Sequence, residues 1–171
     1  MPKHIRTFEK TFSLAHPEAG LEDLPNHFYL MIKNTSHELL SELKDIYFGK
    51  FFHFKDDKGN SKKYGNIMGC EATDLQLENL FKIQNEFGVD ISLTMNQLNL
   101  PEELLMNQRV HEEFIEWIGQ FYDKGLRSCT IGSVHTMCGG NLQKRCPDML
   151  WKNTVNNIVL DTQMVADYVT L

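Results

Sequence analysis

The chain has 171 residues, 42% of them hydrophobic and 23% charged, which suits one soluble globular domain and excludes a disordered, collagen-like or coiled-coil chain. Its net charge is -6, unevenly distributed: ten Lys/Arg stand against nine Asp/Glu up to Gly65, a net of +1, and the remaining seven stand against fourteen, a net of -7. Such a chain offers no overall basic face to duplex nucleic acid, so any nucleic-acid contact must be local.

Residues 1–27 read as an irregular N-terminal arm with at most one short helix, and residues 28–171 as an α/β domain. The apolar run FYLMIKN (Phe28 to Asn34) predicts a buried strand. Ser36 is an N-cap for the helix SHELLSEL, with Leu39, Leu40 and Leu43 on one side. DIYFG (Asp45 to Gly49) predicts a second buried strand. KFFHFKDDKGNSKKYGNI, with aromatics flanking a polar turn at Gly59-Asn60, predicts a β-hairpin inserted at about 50–67.

Thr73 to Gln76 is a capping-box pattern opening a helix with Leu77, Leu80, Phe81 and Phe87 inward and Gly88 at its end. Val89 to Gln97 predicts a strand, and Pro101 lies in a loop at an expected first helical turn. Val110, Phe114, Trp117, Ile118 and Phe121 fall on one face of a helix from Val110 to Lys124, which places Trp117 in the core. Ser128 to Val134 predicts a strand, CGGNLQKRC a loop or weak helix, and Met149 to Val155 another strand. A final helix is expected from Asp161.

Strands alternating with helices predict right-handed crossovers and a mostly parallel sheet. Two architectures fit: a partial or truncated (β/α)8 barrel with about five parallel strands, or an open doubly wound parallel sheet. A whole barrel needs ~250 residues. The sequence ends at VADYVTL, which reads as an amphipathic helix without a closing strand; this fits either a domain that ends in a docked helix or a portion of a longer barrel. An incomplete barrel is expected to self-associate or to bind a complementary chain through its sheet edges. The N-terminus has no signal-like apolar core, and no stretch approaches the ~20 apolar residues of a bilayer span, so the cytoplasm is the expected compartment and no membrane contact is expected. Cys70, Cys129, Cys138 and Cys146 are then expected as thiols.

Ligands of parallel α/β folds sit beyond the C-terminal ends of the strands. The predicted strand ends carry Asn34, Asn96, Gln97, Ser133, His135, Asn153 and Asn156. This rim is rich in amides and hydroxyls and poor in carboxylates. It suits a peptide-like or other small polar ligand and lacks the paired carboxylates of glycoside cleavage. Asn34, Asn96, Gln97, Asn153 and Asn156 are the candidate ligand-binding residues. His135 is the candidate for proton transfer, because a histidine titrates near working pH. His135, Cys138 and Cys146 have a spacing that fits no common closed zinc site, and no metal site is assigned. There is no dinucleotide fingerprint, phosphate loop or nucleophile elbow, so no cofactor is evident. The lysines and aromatics from Lys50 to Tyr64 fit either a single-stranded nucleic-acid contact or a hairpin with aromatics inward and lysines guarding its edge.

The segments IYFG and DLQLENLFKIQNEFGVDISLTMNQL resemble the opening of the collagenase-like peptidase family U32, where a strand ending in Y-x-G leads to a helix, a glycine and a strand ending V-x-L-N-x-L. LWKNTVNNIVLDTQMVADYVTL is similar to a later strand–helix unit of that family. The resemblance covers about Phe28 to Leu171, with Asn96, Gln97, Asn153 and Asn156 at the best-matching positions. It implies a (β/α)8-type barrel and a hydrolase of peptidase type. Some members act in RNA hydroxylation or quinone biosynthesis with an iron–sulfur cluster. The family's cysteine signature follows the fifth strand, past this sequence, so no cluster ligands are implied here. The alternative is a non-catalytic module that binds a partner or single-stranded nucleic acid.

Overall fold

The computed structural model describes residues 12–16, 25–66 and 71–154. It is a mixed α/β structure with a five-stranded parallel sheet and a small antiparallel one. In chain order these are β1 (Phe12–Ala15), α1 (Pro25–Lys33), α2 (His37–Glu42), β2 (Leu43–Gly49), β3 (Phe51–Lys55) and β4 (Ser61–Gly65). They are followed by α3 (Asp74–Phe87), β5 (Asp90–Met95), α4 (Glu102–Met106), α5 (Gln108–Asp123) and β6 (Ser128–Ile131). A 3-10 helix (Val134–Gly140), α6 (Asn141–Arg145) and β7 (Leu150–Asn153) complete the described chain. The helix expected from Asp161 lies outside the described residues.

Two expectations need correction. Phe28 to Asn34 is not a strand: Phe28 to Lys33 belongs to α1 and Asn34 follows its end, with Pro25 at the first helical position, where no amide partner is needed. Phe28, Tyr29 and Ile32 are buried while Leu30 and Met31 are exposed, which is helical spacing. The first strand is instead β1, inside the stretch read as irregular, and it pairs in parallel with β2.

The other elements follow local rules. Ser36 caps α2, accepting from the Leu39 amide. Thr73 and Gln76 form a reciprocal capping box on α3, and Gly88 closes that helix in the left-handed conformation at φ 66°. Asn107 caps α5 through the Val110 amide. Val110, Phe114, Ile118 and Phe121 of α5 are buried, and Trp117 is half-buried against Phe52, Phe114 and Phe121. Trp117 therefore packs mainly beneath the hairpin. β6 stops at Ile131, short of Val134, because the chain turns into the 3-10 helix there.

The large sheet runs β1-β2-β5-β6-β7, and every pair is parallel. A doubly wound sheet reverses its strand order at a switch point. This order has no reversal, so the described strands form an open parallel sheet, as the alternative expects, without its double winding. The described strands do not close into a barrel either; β1 and β7 are the outer strands of the order. Right-handed crossovers in an unreversed order put the helices on one side. On that side Ile46, Phe48, Ile91, Leu93, Met95, Cys129 and Ile131 form the buried core.

The opposite side of the sheet is polar. The register aligns Tyr47 with Ser92 and Gly49 with Thr94, and it aligns Thr94 with Thr130 and Thr130 with Lys152. Asp45, Tyr47, Ser92, Thr94, Ser128, Thr130 and Lys152 therefore share a face.

Candidate functional site

The polar face is concave. Lys152 Nζ on β7 lies 2.6 Å from Asp45 Oδ2 on β2, across the two intervening strands β5 and β6. The register puts Lys152 level with Gly49, four residues beyond Asp45. In a flat sheet three strand spacings and four residues would separate the two Cα atoms by about 19 Å. Two extended side chains reach about 10 Å between them. The sheet must therefore coil toward its polar side. Asp45 is 5% exposed, and the Lys152 side chain is 26% exposed. Burial is the largest single influence on Asp45 and opposes its ionisation; the bonds from Lys152 and Ser13 and the charges of Lys152 and Lys44 together outweigh it, holding the carboxyl below its usual range. Beside the pair, Ser92 Oγ and Ser128 Oγ are 3.1 Å apart and buried. Tyr47 on the same face is 41% exposed.

Because all five strands are parallel, their C-terminal ends form one rim. His16 follows β1, its amide bonded to Tyr47 O at 2.8 Å. His16 is buried, its Nδ1 has no hydrogen-bond partner among the described residues, and burial lowers its pKa from 6.5 to about 4. Lys50 follows β2 and donates to Ala72 O at 2.8 Å, with Glu71 at 3.3 Å and Asp74 at 3.6 Å. Asn96 and Gln97 follow β5, Ser133 and His135 follow β6, and Asn153 ends β7.

The candidates from sequence divide accordingly. Asn96, Gln97, His135 and Asn153 stand at the same end of the sheet. Asn34 does not end a strand: its amide donates to Leu30 O at 2.8 Å and closes α1. Asn156 lies outside the described residues. Gln97 fastens the hairpin, since its amide bonds Gly65 O at 3.0 Å and its carbonyl accepts from Tyr64 Oη at 3.3 Å. Asn96 and Asn153 both carry interactions with their surroundings. His135 is exposed, and its Nδ1 is 3.3 Å from Ser133 Oγ.

In the hairpin, Phe52, Phe54 and Tyr64 turn inward to the core. Lys62 pairs with Glu103, and Lys63 caps the Phe51 ring at 4.1 Å. Three of the four aromatics that a single-stranded nucleic acid would stack on are thus buried. Cys129 and Cys146 are buried free thiols, and burial pushes both pKa values up. Among the described residues no group of three or more His, Cys, Asp or Glu is placed to hold a metal ion, and no helix is long and apolar enough to cross a membrane.

Sequence reasoning missed Lys152, Asp45, Ser133's partnership and His16. A signal existed for Asp45. Asp45 and Tyr47, Ser92 and Thr94, and Ser128 and Thr130 each recur at a spacing of two, in strands whose parallel pairing usually makes both faces apolar.

The fold and rim define a parallel α/β protein with unreversed strand order and a polar concave face. No protein-family model, curated protein or solved structure matches the chain.

Proposed function

We propose that this five-strand arc is part of a (β/α)8-type barrel of the collagenase-like peptidase kind, and that it is a hydrolase holding a peptide-like or other polar ligand at its C-terminal rim. In this reading Asn96, Gln97 and Asn153 orient the ligand and His135 moves the proton. The Lys152–Asp45 bond carries the reading. It coils an unreversed parallel sheet toward one face, as closure into a barrel requires, and these residues stand at the C-terminal end of that sheet. The sequence resemblance adds the peptidase class.

The test is a peptide panel incubated with the protein, read by mass spectrometry for new termini and by NMR for amide shifts. Cleavage reduced about 100-fold in His135→Ala, with shifts at residues 94–97, 130–135 and 152–154, is the expected result. Shifts confined to residues 51–65 would overturn it in favour of a binding module that uses the hairpin.

A further inference from the structure

We propose that Ser133 is the nucleophile of this reaction and that His135 is its base, an assignment that rests on the hydrolase reading above. Ser133 stands immediately before the 3-10 helix, where a serine normally turns its oxygen onto a backbone amide of the first turn. It makes no such bond. Its hydroxyl instead lies 3.3 Å from His135 Nδ1, at the length of a nucleophile–base contact before substrate tightens it.

The backbone around Ser133 is held in place. The Ser133 carbonyl accepts twice from the buried Thr136, from its amide at 3.2 Å and from its hydroxyl at 2.8 Å. On the other side, Gly132 lets the chain pass hard against the end of β5: a Cβ there would meet Gln97 O at 2.2 Å. The serine is therefore fixed at the end of β6, one strand away from Asn96 and Gln97, with its oxygen uncommitted to the helix. Its backbone is extended, at φ -134° and ψ 123°.

The substrate class is an amide or ester whose acyl group reaches the rim. Ser133 Oγ forms a bond to the carbonyl carbon while its proton passes to His135 Nδ1 and the carbonyl π pair moves to oxygen. Collapse re-forms the carbonyl and breaks the bond to the amine or alkoxide, which leaves with the proton from His135. Water then adds to the acyl-serine, giving its proton to His135. The second collapse releases the carboxylic acid and returns the proton to Ser133 Oγ. The sum is one amide or ester and one water converted to acid plus amine or alcohol.

A small fluorophosphonate ester tests this, with intact mass and peptide mapping as the readout, alongside the same peptide panel. One adduct on Ser133 is expected, absent in Ser133→Ala and formed about 100-fold more slowly in His135→Ala. His135 is exposed, so its replacement leaves folding intact, and circular dichroism of both variants checks this. Peptide cleavage that persists in Ser133→Ala, or an adduct only on another serine, overturns the assignment while the hydrolase reading stands. Neither adduct nor cleavage by the folded protein overturns both.

Discussion

The Arg145 guanidinium occupies the space beside Gly119 where a side chain would stand: a Cβ there would come within 2.5 Å of Arg145 Cζ. From this position Arg145 forks onto Asp123 at 3.0 and 2.6 Å and reaches Glu116 at 3.3 Å, tying α6 to α5. The obstacle at Gly119 is the far end of a flexible side chain. At Gly132 it is the Gln97 backbone.

The two glycines should therefore respond differently to alanine. Gly119→Ala gains about 1 kcal/mol of helix propensity, and the flexible Arg145 side chain can shift aside within its partly exposed ion pairs, so its stability should stay near that of the parent. Gly132→Ala has no flexible neighbour to move and should lose about 3 kcal/mol or more. Urea midpoints of both variants check this, and equal losses would contradict the geometry.

Removing Lys152 should leave a nearly buried carboxylate without its cation. Lys152→Met is expected to cost about 3 kcal/mol, the lower end for a buried pair because the lysine is partly exposed. The double variant with Asp45→Asn should cost less than the sum of the two single changes. Asp45 is held below its unfolded pKa, so its contribution is present above about pH 4 and is lost as pH falls through the lower folded value. Lys152→Met should abolish that acid-side loss in a pH series of thermal melts.

His16 titrates in a different window. Its folded pKa is about 4 against 6.5, so the native state resists a proton that the unfolded chain accepts. Stability should be full above about pH 6.5 and decline as pH falls toward 4. In His16→Phe the slope between these values should vanish while the Asp45 slope below it persists.

Trp117→Ala should destabilise by about 2–3 kcal/mol, less than a fully buried tryptophan, because the ring is only half-buried. The loss should be accompanied by faster hydrogen exchange in β3 and β4, since the Phe52 ring packs tilted against Trp117 with 5.7 Å between centroids. Unchanged exchange in the hairpin would refute this anchoring.

Cys129 and Cys146 should resist iodoacetamide in the native state and react after denaturation. Burial keeps both as thiols, and the thiolate is the reacting form. Peptide mapping after native labelling reads this directly.

Local chemistry made much of the fold legible. The capping box at Thr73, the left-handed Gly88, the apolar stripe of α5 and the alternation of the hairpin each act over a few residues, so the sequence states them. Phe28 to Asn34 reads as a strand in the sequence, and Phe28 to Lys33 folds as a helix for a physical reason: a short apolar run buries equally well as either. Here Pro25 and the neighbouring α3, which meets Tyr29 through Glu86 at 2.6 Å, resolve it as a helix. The rim was foreseeable once strands were assigned, because parallel strands share a C-terminal end. The coil of the sheet was not. It depends on Asp45 and Lys152, 107 residues apart, and on a register that no local pattern encodes. Only the assembled sheet turns scattered serines, threonines and one ion pair into a single concave polar face.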